Sequence, residues 1–444
     1  MWGTWLGSLI GGGCAAPVAQ PTWRGEIEPL IEARCAGCHS EGNLAPLSLD
    51  SYEAVVEALD PVVYAIESRS MPPWGAAPIR SYRYDPSLTD DQIAAVVAWA
   101  EAGAPRGSGE VAAEAPAAVE QPSLDRIDVS IGMSDPYTPN GSEHNGDDYR
   151  CFSFPWPSGE RYITGFEAVP GNLASAHHVA AYIVPPFQAE IVAAFEASHP
   201  EVAGYPCYGT AAMDGWEPAS ALDELQQGLV GVWAPGVGAV RTPRGTGLEV
   251  EPGSTLVVQM HYYTLATDDP TDQTAVHFQT ATEVDQVGYS VFWLDLTWAL
   301  SPTSMQIPAG AEGVGYAYRA PLQELPGLSL LAPDLDLTAP VRIHSVMPHQ
   351  HLLGRSIELT AHHLDGGAEP VVEIPDYDFS WQRFYEPTEA VVMAPGDELE
   401  VSCVWDNTAA SRAEAGAVPI EPVDVTWGEG TTDEMCIAVL YATN

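Results

Sequence analysis

Three sets of residues in this chain have the types and spacing to do redox or metal chemistry. The first is Arg34-Cys35-Ala36-Gly37-Cys38-His39, a Cys-x-x-Cys-His sequence that is the attachment signature of c-type haem. Two thiols at this spacing reach the vinyl groups of one porphyrin while the next imidazole turns onto its iron. A chance cysteine pair or half of a zinc knuckle is the competing reading, and the helical run at 23–34 ahead of the motif favours haem. Met71, in Ser70-Met71-Pro72-Pro73-Trp74, lies in a proline-stiffened loop downstream. There a thioether would be the sixth ligand and raise the reduction potential. Cys35, Cys38, His39 and Met71 are therefore expected to hold one covalently attached haem c.

The second and third sets are histidines, of which the chain has twelve. His177 and His178 are adjacent in a β-like run, and His261 lies near the end of another, at 256–263. His349 and His351 flank Gln350 in Met347-Pro-His-Gln-His-Leu-Leu-Gly354. In an extended strand residues i and i+2 point to one side, so His349 and His351 can grip one metal together. Adjacent His177 and His178 would face opposite ways, so joint ligation needs a strand end or a bulge. Imidazole suits copper or zinc; histidines satisfied by ordinary hydrogen bonds are the alternative. His362 and His363 read as a surface turn rather than a third site, and His344 as a supporting neighbour of the His349/His351 pair. His144, His199 and His277 carry no signal.

The elements that must position these groups fall into blocks. Residues 22–107 read as mostly helical, with helices at 23–34, at 52–68 and from an N-cap at Thr89-Asp90-Asp91 to Gly103. A small, acidic, proline-containing linker occupies 108–122. Everything after it is strand-like, in short alternating runs between Pro-Gly and Asp-Gly turns. The stretch 251–263 resembles 394–406, each a Pro-Gly turn feeding a strand that ends in aromatics. That likeness suggests an internally doubled β region, divided at 123–283 and 284–444.

Composition sets outer limits. Sixteen basic residues, all arginine, stand against sixty-one acidic ones for a net charge of −45. Such a charge argues against nucleic acid or an anionic membrane surface as partner. At 46% hydrophobic residues the chain can fill real cores. Forty glycines and thirty-nine prolines favour turn-rich β architecture. No run has the ~18–20 apolar residues of a membrane span. Cys14 follows a short apolar stretch and three glycines, like the end of a bacterial lipoprotein signal, so residues 1–21 are expected to be a signal with any membrane attachment through a lipid on Cys14. Four cysteines remain, enough for two disulfides in an oxidising compartment, with the pairing open.

Residues 22–107 resemble the short class of bacterial cytochrome c domains that end in a helix and Ala102-Gly103-Ala104-Pro105. From about 123 to 444 the order of histidines and a late methionine resembles the copper type II, ascorbate-dependent monooxygenases, the peptidylglycine α-hydroxylating and dopamine β-monooxygenase family. That resemblance implies two jelly-roll domains facing each other across a wet cleft, each with one copper. It makes His177, His178 and His261 ligands of an electron-transfer copper. His349, His351 and Met435, in Gly430-Thr-Thr-Asp-Glu-Met-Cys436, would hold the oxygen-binding one. It also implies Cys151–Cys207 and Cys403–Cys436 disulfides. The peptide-hydroxylating branch carries an arginine two residues before its His-x-His pair, to hold a substrate carboxylate. Met347 stands there in this chain, with Ile437 and Val439 replacing polar and aromatic residues after the methionine, so a peptidylglycine substrate is not expected. The aromatic stretch Tyr377, Phe379, Trp381, Phe384 and Tyr385 reads as core packing ahead of cleft lining.

The expectation is thus a multi-domain protein: a small α-helical cytochrome c domain followed by two antiparallel β-sandwich (jelly-roll) domains. It would be exported to the periplasm or the outer surface and would hydroxylate a C–H bond of a small molecule with O₂. His349, His351 and Met435 would form the catalytic site. Electrons would come from an external donor, ascorbate-like or another redox protein, and pass through the haem. The alternative is a non-catalytic exported haem- or copper-binding electron carrier.

Overall fold

The computed structural model describes residues 20–41, 45, 47–108, 119, 121–141, 146–157, 159, 161–199, 202–207, 228–264, 267–325, 328, 332, 334–417, 419–428 and 430–444. The signal-like segment with Cys14, most of the linker and His144 lie outside them. The chain divides into two compact units, one formed by residues within 1–72 and 87–118, the other by 73–86 and 119–444.

The first unit is helical. Thr22 accepts from the N–H of Gly25 to start a π turn, Trp23–Ile27, that runs into the helix Glu28–Arg34. The stretch read as one helix at 52–68 is two, Tyr52–Glu57 and Leu59–Glu67. The break has a local cause, since Pro61 has no N–H to give to the carbonyl of Glu57. The helix Asp90–Glu101 opens on a reciprocal capping box between Thr89 and Gln92. Trp23, Ile27, Val55, Ile66, Val96 and Trp99 are buried together in its core.

Residues 73–86 read in the sequence as part of the helical block, yet they belong to the second unit. Trp74 and Tyr82 pack their rings edge-on against Tyr385 at 5.0 and 5.9 Å, and the N–H of Ala77 donates to the carbonyl of Glu373 at 2.8 Å. Three aromatic side chains outweigh any local helical preference here.

The rest of the second unit is mostly β. A five-stranded sheet runs in the order Tyr205–Pro206, Asp147–Pro155, Thr255–Tyr263, Ala176–Val184, Gly228–Trp233. A four-stranded sheet runs Val314–Pro321, Glu398–Trp405, Gly354–His362, Ala368–Ile374. A nine-stranded sheet backs both. One end of it holds Ala275–Ala281, Tyr162–Val169 and Thr246–Glu249; the other holds Gln286–Trp293, Ile437–Thr443, Val341–His349 and Val391–Met393. Phe152 and Val258 of the five-stranded sheet share a core with Phe166 and Phe278 of the nine-stranded one. Ile357 and Val401 of the four-stranded sheet share another with Ile343 and Leu440. These are two sandwiches with one continuous sheet, joined where Thr246–Glu249 pairs in parallel with Gln286–Trp293. At that seam a Cβ on Gly288 would lie 1.9 Å from the Tyr441 hydroxyl. Only glycine lets that hydroxyl pass to Thr246, which it meets at 2.8 Å.

The strand orders of the two sandwiches correspond. Thr255–Tyr263 is flanked in its sheet as Glu398–Trp405 is in the other. These two strands carry the repeated Pro-Gly segments, so that likeness marks a real doubling of the fold. Both disulfides implied by the family resemblance are formed, Cys151–Cys207 and Cys403–Cys436. Among the described residues, no helix is long and apolar enough to cross a membrane.

Candidate metal centres

The first histidine cluster is made by a fault in strand pairing. Ala176 pairs with Tyr262 and His178 pairs with His261, so His177 is an extra residue bulged out of the ladder. The bulge turns both adjacent imidazoles to one side. The Nδ1 atoms of His177, His178 and His261 form a triangle with edges of 3.1, 3.2 and 3.4 Å. Nitrogens around one metal at ~2.0 Å in a tetrahedral set lie about 3.3 Å apart. His261 holds its other nitrogen, Nε2, 2.7 Å from the Asp147 carboxylate. A carboxylate only accepts, so the proton sits on Nε2 and the Nδ1 lone pair points at the common centre. Burial pushes all three imidazoles below their ordinary range, which keeps them neutral and able to bind a cation. Tyr149, on Asp147–Pro155, stacks flat on His261 with ring centroids 4.0 Å apart.

The second cluster forms where Val341–His349 meets Ile437–Thr443. His349 pairs with Ile437 at the end of the ladder, and Met435 comes just before that strand. Alternation holds: His349 and His351 turn to one side with centroids 5.0 Å apart, while Gln350 turns into the interior and donates to the carbonyl of Val404. His349 Nδ1 donates to Gln382 Oε1 at 3.0 Å and His351 Nδ1 to the carbonyl of Asp433 at 3.1 Å. Both Nε2 atoms are thereby left with lone pairs. Burial pushes His349 down to about 4 and His351 down to about 3. Met435 is buried and lines the same cavity as both histidines. Two imidazoles and a thioether are a donor set suited to Cu(I).

Glu434 ties this cluster together from behind. It is fully buried, and its carboxylate accepts from the N–H of His351 at 2.9 Å, the N–H of Leu353 at 2.6 Å and the Trp405 indole at 2.8 Å. Burial pushes it up to about 8 against the pull of these donors.

Both clusters open onto one cavity of about 140 Å³, lined by His178 on one side and by His349, His351 and Met435 on the other. The Tyr149 hydroxyl also reaches Thr431, 2.8 Å away in the segment leading to Met435. Of the aromatic stretch only Phe379 lines this cavity. Tyr377 bonds the backbone of Gln350, and Tyr385 belongs to the Trp74 cluster. His344 bonds Thr443 rather than supporting the pair. His362 and His363 meet carboxylates of Glu400, Asp397 and Glu369.

In the helical unit Cys35 and Cys38 are half-buried free thiols on one turn, with the N–H groups of Cys38 and His39 both donating to the Cys35 carbonyl. His39 Nδ1 donates to the Leu47 carbonyl at 2.7 Å, leaving Nε2 its lone pair, as an iron ligand requires. Burial pushes the Cys35 thiol up to about 12, so as a free thiol it is unreactive at neutral pH. Met71 is half-buried. Cys35, Cys38 and His39 thus lie together on one turn, as a thioether-linked haem would require.

Sequence reasoning missed Asp147, Tyr149, Gln382, Thr431 and Glu434. Only Glu434 left a trace, as an acidic residue wedged between Asp433 and a buried Met-Cys pair.

Comparisons with known proteins bear on the second sandwich. Residues 334–443 match the family model described as copper type II ascorbate-dependent monooxygenase, C-terminal domain. The chain is 31% identical over 107 residues to tyramine beta-hydroxylase of Caenorhabditis briggsae, covering 23% of this chain and 15% of that protein. It is 33% identical over 118 residues to DBH-like monooxygenase protein 1 of Homo sapiens, covering 26% of this chain and 17% of that protein. Among solved structures, peptide-N(4)-(N-acetyl-beta-D-glucosaminyl) asparagine amidase is similar over 71% of this chain and 96% of its own at 9% identity. Its TM-score of 0.30 carries no argument.

Proposed function

We propose that this chain is an exported copper-dependent monooxygenase that hydroxylates a C–H bond of a small molecule, fed with electrons through a covalently bound haem c. The observation that carries the reading is the pair of neutral, lone-pair-directed donor sets, His177/His178/His261 and His349/His351/Met435, opening onto one cavity. The match of residues 334–443 to a copper monooxygenase domain supports it. Two disulfides suit an oxidising compartment.

The net reaction is RH + O₂ + two electrons + two protons → ROH + H₂O. Copper held by His177, His178 and His261 and by His349, His351 and Met435 would supply one-electron redox chemistry and the activation of dioxygen. The chain's own residues do the rest. Asp147 and Gln382 hold His261 and His349 in the tautomers that present a lone pair. Glu434 fixes the backbone that carries His351. Cys35, Cys38, His39 and Met71 would hold the haem, which would supply one-electron transfer from an external donor, ascorbate or a redox protein.

Metal and haem quantitation tests the reading: one haem and two coppers per chain are expected, with one copper lost when His349 and His351 are both replaced. Met435→Ala should abolish substrate-dependent oxygen consumption and leave the haem spectrum unchanged. A variant that consumes oxygen like the parent refutes the oxygenase. A reduced haem that is not reoxidised when oxygen and substrate are added refutes the relay.

A further inference from the structure

The cavity that joins the two clusters is lined mostly by apolar surface. One wall is a block of cross-strand neighbours: Met347 pairs with Val439, Val439 pairs with Phe292, and Ile437 pairs with His349. The opposite wall is the five-stranded sheet, with Ala180, Leu229 and Val232 facing in. Among the described residues no aspartate, glutamate or arginine lines the space, in a chain carrying a net charge of −45. Of its polar side chains, His178, His349 and His351 present ring nitrogens as metal donors, while Gln382, Tyr149 and Thr431 bond within the protein. Gln382 accepts from His349 and donates to the carbonyl of Phe379. The hydroxyls of Tyr149 and Thr431 meet each other.

We infer that the molecule taken up here is neutral and apolar, about the size of one aromatic ring with a short alkyl chain. This rests on the oxygenase reading for its chemistry but on the cavity walls for its binding. A carboxylate or ammonium held against these walls gives up its hydration and meets no charged side chain among the described residues, which costs several kcal/mol. An apolar group loses nothing. A cavity of about 140 Å³ matches the ~150 Å³ apolar cavity that admits benzene. Met347, on the same strand face as His349 and two residues away, adds an uncharged side chain to the wall beside the second cluster.

The test is a series of phenylalkyl compounds offered to the full chain carrying haem, with and without copper, the copper-free form reporting on the walls and deciding the inference: propylbenzene, 2-phenylethylammonium and 3-phenylpropanoate. Binding is read by calorimetry or by the fluorescence of Trp427 in the cavity wall. Propylbenzene is expected to bind at least ten-fold more tightly than either ion. Equal or tighter binding of an ion, or no binding of propylbenzene, overturns the inference. Met347→Arg should invert the order of propylbenzene and 3-phenylpropanoate. Leu229→Trp, which fills the space with hydrocarbon and adds no charge, should abolish propylbenzene binding; unchanged affinity in that variant places the ligand elsewhere and refutes the assignment. Product formation with ascorbate and oxygen is scored separately. Propylbenzene that binds but is not hydroxylated leaves the substrate class standing and counts against the oxygenase.

Discussion

Replacing Glu434 should damage one metal site and spare the other, by an amount that can be worked out. Three N–H donors point at its carboxylate, from His351, Leu353 and the Trp405 indole, at 2.6–2.9 Å. In Glu434→Ala each is left buried without an acceptor at about 1–3 kcal/mol apiece. Removing a carboxylate that sits fully out of water returns part of this. The net loss is about 3 kcal/mol, which at roughly 2 °C per kcal/mol for a unit this large lowers the melting temperature by about 6 °C. Glu434→Gln keeps one oxygen for His351 and Trp405 but turns an amide NH₂ toward the N–H of Leu353, and should cost about half as much. Because the carboxylate anchors the turn that carries His351 and adjoins Met435, copper affinity at the second cluster should fall about 10–100-fold. The first cluster, on other strands, should keep its copper. Calorimetry and chelator-competition titration read the two effects. An alanine variant that melts within about 1 °C of the parent would refute the reasoning, as would one that loses both coppers equally.

Asp147→Asn removes the charge that holds the His261 proton on Nε2 at 2.7 Å; copper at the first cluster should weaken about 10–100-fold with the second unchanged, by the same titration. Gly288→Ala drives a methyl to within 1.9 Å of the Tyr441 hydroxyl and should cost about 1–3 kcal/mol in chemical denaturation, part of it recovered in the double variant with Tyr441→Phe. His363 is raised above its ordinary value by the carboxylates of Asp397 and Glu369, with Arg80 the nearby opposing charge. A raised histidine gives its full stabilisation below about pH 6.5 and loses it as pH climbs past the elevated value. The melting-temperature gap between parent and His363→Gln should therefore close between pH 6 and 9, and a gap that widens would refute the pairing.

Much of this was legible in the sequence, and for identifiable reasons. Local rules found the Thr89 cap, because a side chain and a backbone N–H three residues on decide it alone. They also found that His177 and His178 need a strand end or a bulge to turn to one side, because strand alternation sends neighbours to opposite faces; the structure supplies the bulge. The His349/His351 face followed from the same period of two. Hidden from local rules were residues whose role depends on a distant strand. Asp147 acts through His261 across a ladder, Glu434 through a turn far earlier in the chain, and Tyr149 through Thr431. Pro61 could have split the 52–68 helix on sight. Residues 73–86 could not have been moved to the second unit, because Tyr385, which captures Trp74, lies far along the chain.

The doubling of the fold explains why two unlike donor sets can share one cavity. If each sandwich used the same strands for its ligands, the two clusters would sit on equivalent surfaces and need not converge. They do not use the same strands. The first set rises from the five-stranded sheet, at the bulge on Ala176–Val184 and on Thr255–Tyr263. The second comes from the shared nine-stranded sheet, at the end of Val341–His349 and the approach to Ile437–Thr443. Continuity of that sheet across the seam at Gly288 fixes the angle between the sandwiches. An unshared face of one is thereby brought against the shared face of the other. The space left between these faces is lined with whatever each strand alternates inward, which is hydrocarbon. The mostly apolar cavity follows from the architecture, and a bulge and a strand end set the metal ligands at its edges.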